Sequence, residues 1–105
     1  MGVPKNSTIF RPTLADIDCA AFKVIVGGAK YTPGGLPKGT IFDATQGGLR
    51  EIKGGSSVLN STYQLRLQTY YHLKNGLQDT LETPRPINPA FQSWLDKWGV
   101  TVKRP

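Results

Sequence analysis

From Tyr63 to Leu73 the chain alternates. Tyr63, Leu65, Leu67, Thr69, Tyr71 and Leu73 fall on one side of a period-two repeat. Gln64, Arg66, Gln68, Tyr70 and His72 fall on the other, and Lys74 continues that side. The repeat predicts a strand with one apolar face and one polar, basic, partly aromatic face. Asn75-Gly76 follows, a pair that favours the positive φ angles of a two-residue hairpin turn, so Leu77 to Thr83 is expected to return as a second strand. A helix competes for the same stretch. Leu59, Tyr63, Leu67, Tyr70 and Leu73 also share a helical stripe, Ser61 and Gln64 have capping-box spacing, and Gly76 suits the position after a helix end. The alternation runs longer and leaves Leu65 off the helical stripe, so the strand is the expectation carried forward.

The remaining pattern is shorter-ranged. Phe22 to Val26 is an apolar, β-branched run that predicts a buried strand. Gly27 to Gly55 holds nine of the twelve glycines. Between its glycine pairs, residues 38–43 and Leu49 to Ile52 predict two short strands around a turn near Gln46-Gly47-Gly48. Pro84, Pro86 and Pro89 exclude regular pairing from Pro84 to Asn88. A helix over about residues 89–98 is well marked. Asn88 is the cap, Pro89 the first helical residue, and Phe91, Trp94, Leu95 and Trp98 form one face. Val100 to Val102 suggests a further strand, and Thr13 with Asp16 can cap a short helix. Residues 1–12 read as an extended arm whose bulky apolar pair is Ile9-Phe10, lying either on a neighbouring subunit or back on its own domain. The expected fold is therefore mainly β within the α+β class. It has a small antiparallel sheet or a β-sandwich or barrel, an N-terminal arm, one single domain over residues 13–105, and one C-terminal amphipathic helix.

Charge and chemistry narrow the functions. Thirteen Lys and Arg against seven Asp and Glu give a net charge of +6, which suits an acidic partner. Cys19 is the only cysteine, so no intrachain disulfide forms. No apolar run approaches the roughly 20 residues of a membrane span, and no membrane partner is expected. His72 is the only histidine, and its neighbours in sequence include no acid. Cys19 beside Ala20-Ala21 reads as a small hydrophobe. No zinc set and no cofactor motif is present. Gly34-Gly-Leu-Pro-Lys-Gly-Thr40 lacks the lysine position of a phosphate loop, and Pro37 removes an amide donor. The expectation is a non-enzyme with no catalytic, metal or cofactor-binding residues.

Two functional readings follow. Leu36-Pro-Lys-Gly-Thr-Ile-Phe-Asp43 with Gly47-Gly-Leu-Arg-Glu-Ile52 resembles a short β-hairpin of small bacteriophage virion proteins, including head-decoration proteins. The resemblance implies a subunit of a phage-like virion, made in the host cytoplasm, that binds other copies of itself or other virion proteins. Its contact residues would be Ile9, Phe10 and Arg11 in the arm and Tyr31, Leu36 and Lys38 in the glycine-rich loops. The alternative is a single-stranded nucleic-acid-binding protein. Arg66, Tyr70, His72 and Lys74 would share one strand face, with a base stacked on Tyr70 and phosphates on the cations. The hairpin followed by Ile87-Asn-Pro and a Trp-bearing helix resembles, over the last third of the chain, the coactivator-type single-stranded-DNA-binding fold.

Overall fold

The computed structural model describes residues 9–42 and 48–105. In chain order these form β1 (Ile9–Phe10), α1 (Leu14–Asp18), α2 (Ala20–Ile25), β2 (Thr40–Ile41), β3 (Leu49–Ile52), α3 (Tyr63–Asn75), β4 (Asp79–Glu82), α4 (Pro89–Lys97) and β5 (Thr101–Lys103). The fold is a small α+β domain with two separate sheets, not a mainly β one. β1 and β2 pair antiparallel, Ile9 opposite Ile41. β3, β4 and β5 pair parallel, with β4 in the middle. The expected antiparallel sheet is thus corrected on its largest member. Parallel neighbours need long crossovers, and α3 and α4 supply them.

The stretch expected to be a long strand is the helix α3. Thr62 caps it by accepting from the Leu65 N–H at 3.2 Å. Gly76, at φ 64°, closes it in the left-handed conformation, as a residue past a helix end does. The alternation has a physical cause. Tyr63, Leu67 and Tyr70 enter one core cluster, while Leu65 enters a second. At 3.6 residues per turn, Leu65 sits roughly 200° around the axis from Tyr63. A helix buried on two opposite sides puts apolar residues two apart in sequence and imitates a strand. The Asn75-Gly76 hairpin therefore does not form, and the segment after it returns as β4 through a crossover.

Phe22 to Val26 is likewise helical. Phe22 and Ile25 face the core from α2, and Val26 just after it does the same, spaced i, i+3, i+4, while Val24 is 65% exposed. The Cys19 thiol caps α2 by accepting from the Phe22 N–H. Thr13 and Asp16 form a reciprocal capping box on α1. The hairpin expected between residues 38–43 and Leu49 to Ile52 is absent. β2 pairs with β1 and β3 with β4, in different sheets. The expected turn falls partly on residues 43–47, outside the described residues, as do residues 1–8 of the expected arm.

Two clusters make the core. The first gathers Phe10, Phe22, Ile25, Val26, Phe42, Leu49, Tyr63, Leu67 and Tyr70. The second gathers Leu59, Leu65, Leu81, Phe91, Leu95 and Val100. Trp94 packs against both, so α4 bridges the clusters as well as covering β5. Phe10 is 7% exposed and lies against Tyr71 at 4.7 Å between ring centres. The end of the expected arm is therefore pinned to its own domain, and Phe10 is a core residue rather than a partner contact.

Candidate functional site

The site starts from a hairpin that the notably regular stretch Lys30-Tyr-Thr-Pro-Gly-Gly-Leu-Pro-Lys38 folds locally. Pro33 fixes the first bend, the Gly35 N–H donates to the Thr32 carbonyl at 2.9 Å, and Gly35 takes φ 82°. The Thr32 N–H returns a bond to the Leu36 carbonyl, and Tyr31 bridges Pro37. The Lys38 N–H then donates to the Lys30 carbonyl at 2.7 Å. Lys30 and Lys38 consequently stand directly opposite each other across the stem. Like charges in that position oppose pairing.

This stem forms one wall of a cleft of about 600 Å3. β1 and the residue after it contribute Ile9 and Arg11, and β2 contributes Thr40 and Ile41. The first turn of α3 closes the cleft with Thr62, Tyr63 and Gln64. Gly39 lies in the wall because β2 passes too close to the chain at Phe10 and Arg11 for a side chain. A Cβ there would collide with the Phe10 carbonyl oxygen and lie 3.1 Å from the Arg11 Cγ. Tyr63 ties the wall to the helix. Its hydroxyl donates to the Lys38 carbonyl at 2.6 Å, and the Lys30 ammonium sits 5.9 Å from its ring centre. Burial pushes the Tyr63 hydroxyl above its ordinary range.

The cleft is cationic. Arg11, Lys30 and Lys38 are exposed, none makes an ion pair with another described residue, and no described Asp or Glu lines the cleft. Beneath it lies a polar chain. Gln68, 1% exposed, donates to Thr40 Oγ1 and Glu51 Oε1, both at 3.0 Å. Lys53 lies 3.3 Å from Glu51 Oε2 and donates to Gln64 Oε1 at 2.6 Å. These bonds fix Thr40 and Gln64 from below, while the side-chain amide oxygen of Gln68 is buried without a partner among the described residues.

The residues expected to bind nucleic acid are spent on the fold. They stand on a helix, where Arg66, Tyr70 and Lys74 repeat every four residues and His72 projects elsewhere, so the shared strand face does not exist. Arg66 donates to the Val26 carbonyl at 3.1 Å and to Ser61 Oγ at 2.8 Å. Tyr70 is 5% exposed and donates to Asp16 Oδ1 at 2.8 Å. Lys74 donates to the same oxygen at 2.6 Å. Both ring nitrogens of His72 meet main-chain carbonyls, of Leu77 and of Trp98. Burial opposes ionisation of Asp16, but the bonds from Lys74, Thr13 and Tyr70 outweigh it and hold the carboxyl at about 2. Burial, with the contacts to Cys19 and Asp16, pushes the Tyr70 hydroxyl well above its ordinary value.

Of the six expected partner contacts, Ile9, Arg11 and Lys38 line the cleft, and Tyr31 and Leu36 project from the adjoining hairpin, 56% and 68% exposed. Only Phe10 is withdrawn. Sequence reasoning missed Lys30, Gly39 and the first turn of α3. The signal for Lys30 was its mirror position to Lys38 about the Pro33-Gly34-Gly35 turn. The α3 residues were hidden by the strand reading. No protein-family model, curated protein or solved structure matches the chain. Among the described residues, no three His, Cys, Asp or Glu side chains gather where they could hold a metal ion, and no helix is long and apolar enough to cross a membrane.

Proposed function

We propose that the protein is a non-enzymatic assembly subunit that docks on neighbouring proteins through the β1–β2 ribbon and the Lys30–Lys38 hairpin. One observation carries the reading. Ile9 and Ile41, 44% and 57% exposed, line the cationic cleft, and Tyr31 and Leu36, 56% and 68% exposed, project from the hairpin that forms one of its walls. Exposed apolar groups scattered singly are ordinary, whereas several on adjoining hydrogen-bonded elements beside a charged cleft suit an interaction surface. The occupation of His72 by two carbonyls and of the Cys19 thiol by the α2 cap supports the non-enzymatic part. The docking face, not the phage-like particle, is what the proposal rests on. The hairpin that suggested the particle is not formed between β2 and β3.

The test is the mass of the native complex. Recovered from the cells or particles that produce it, the chain is expected in a stoichiometric complex larger than one copy. The double variant Tyr31→Asp, Leu36→Asp should return it to the size of a single folded chain. A chain that is monomeric at every concentration and absent from any complex, or a complex indifferent to both substitutions, refutes the proposal.

A further inference from the structure

The cleft holds three cations with no counter-charge among the described residues, and three of the described acids are committed elsewhere. Asp16 is buried under Tyr70 and Lys74, and Glu51 under Gln68 and Lys53. Glu82 is engaged by Arg50 and Lys103. The Lys30–Lys38 opposition across the stem is unrelieved within the described chain, and an anion seated between the two ammonium groups relieves it. A second copy of the chain, at +6, is a poor source of that anion.

The walls say what else the occupant carries. Ile9 and Ile41 are cross-strand partners, 44% and 57% exposed, and form an apolar strip beside the cations. Covering it requires apolar side chains. The aromatic ring in the lining, Tyr63, is 6% exposed and faces the Lys30 ammonium, so the lining offers no open platform for a base. Alternating charge and apolar bulk suits a polypeptide better than a phosphodiester backbone. The planar fork of Arg11 suits a carboxylate.

Resting on the assembly reading above, we infer that this cleft receives an acidic segment of a partner protein, with carboxylates on Lys30, Lys38 and Arg11 and apolar side chains on Ile9 and Ile41. The affinity falls as salt rises, because exposed charges carry much of the recognition.

The test is fluorescence anisotropy of a labelled peptide of alternating Glu and Val, titrated with the full chain at low and moderate salt. A Lys-Val peptide and a labelled oligothymidylate are the comparisons. Saturable binding of the Glu-Val peptide alone is expected. Lys38→Glu separates binding from folding. It places opposite charges across the stem, so its melting temperature should match or exceed that of the parent, while peptide affinity drops about tenfold or more. Arg11→Glu should weaken the peptide in the same way. Four results overturn the inference: no saturable peptide binding at low salt; peptide affinity unchanged in a folded Lys38→Glu; oligothymidylate binding that Lys38→Glu abolishes; or self-association of the chain that Lys38→Glu abolishes. Failure here with a complex that still depends on Tyr31 and Leu36 leaves the assembly reading standing. Peptide binding through the cleft in a chain that joins no complex overturns the assembly reading instead.

Discussion

Asp79 is an acid placed where ionisation is expensive. It opens β4, is 4% exposed and makes no ion pair with another described residue. Burial pushes its carboxyl from 3.8 to about 7. The nearby His72 opposes the rise, Glu51 adds to it, and a bond from the Thr80 N–H opposes it. The sign follows from proton counting. Between these two values the folded chain holds a proton that the unfolded chain has released. Stability therefore falls as pH rises from about 4 to about 7 and is flat in this contribution above that. The gap corresponds to about 4 kcal/mol, a large share of the 5–15 kcal/mol typical of a domain. Asp79→Asn removes the titration. The constant difference between a carboxylic acid and an amide shifts the whole curve, so the slope is the informative quantity. Urea unfolding of both proteins, followed by Trp94 and Trp98 fluorescence, should show the variant gaining on the parent by about 4 kcal/mol between pH 4 and pH 8. A stability difference that stays level across that range, or narrows, refutes the assignment of a proton to folded Asp79.

Two further expectations use the same measurement. Asp16→Asn weakens bonds from Thr13, Tyr70 and Lys74 and should cost about 1–3 kcal/mol at neutral pH. The Asp16 contribution is complete above 3.8 and is lost as pH falls through about 2, so the deficit of the variant should shrink on acidification; a deficit that grows there refutes it. Gly39→Ala should cost about 1–3 kcal/mol by driving β2 away from the Phe10 carbonyl, and a neutral result would mean that the strands need not approach so closely.

What the sequence disclosed depended on how far each signal reached along the chain. α4 was legible because its cap, its first proline and its apolar face lie within eleven residues, and it spans Pro89–Lys97. The α1 capping box was legible for the same reason. α3 was not. Its N-cap and terminal glycine were in place, but burial against two clusters erased the single stripe by which an amphipathic helix is known. Leu65, which lies off the single helical stripe, is the residue that faces the second cluster. That one misassignment propagated. With a strand and turn at Tyr63–Gly76, the next strand had to be antiparallel; with a helix there, it is parallel. The pairing of Ile9-Phe10 with Thr40-Ile41 spans thirty residues and has no local signature at all.

The helix that concealed the topology also holds the site. Tyr63 stands at its first position, with its ring in the first cluster and its hydroxyl on the Lys38 carbonyl. One residue further, Gln64 is held by Lys53, which in turn lies on the buried Glu51. The hairpin stem that carries Lys30 and Lys38 is therefore tied through Tyr63 to the core, and Thr40 and Gln64 beside it are fixed by a buried polar chain. A rigid wall loses little conformational freedom when it binds, so more of the interaction with a partner survives as affinity. The exposed hairpin tip, Tyr31 to Leu36, is fastened by its own main-chain bonds and adds apolar area beside that wall. Preorganised charge next to preorganised apolar surface is what a docking face requires, and both depend here on α3 being a helix.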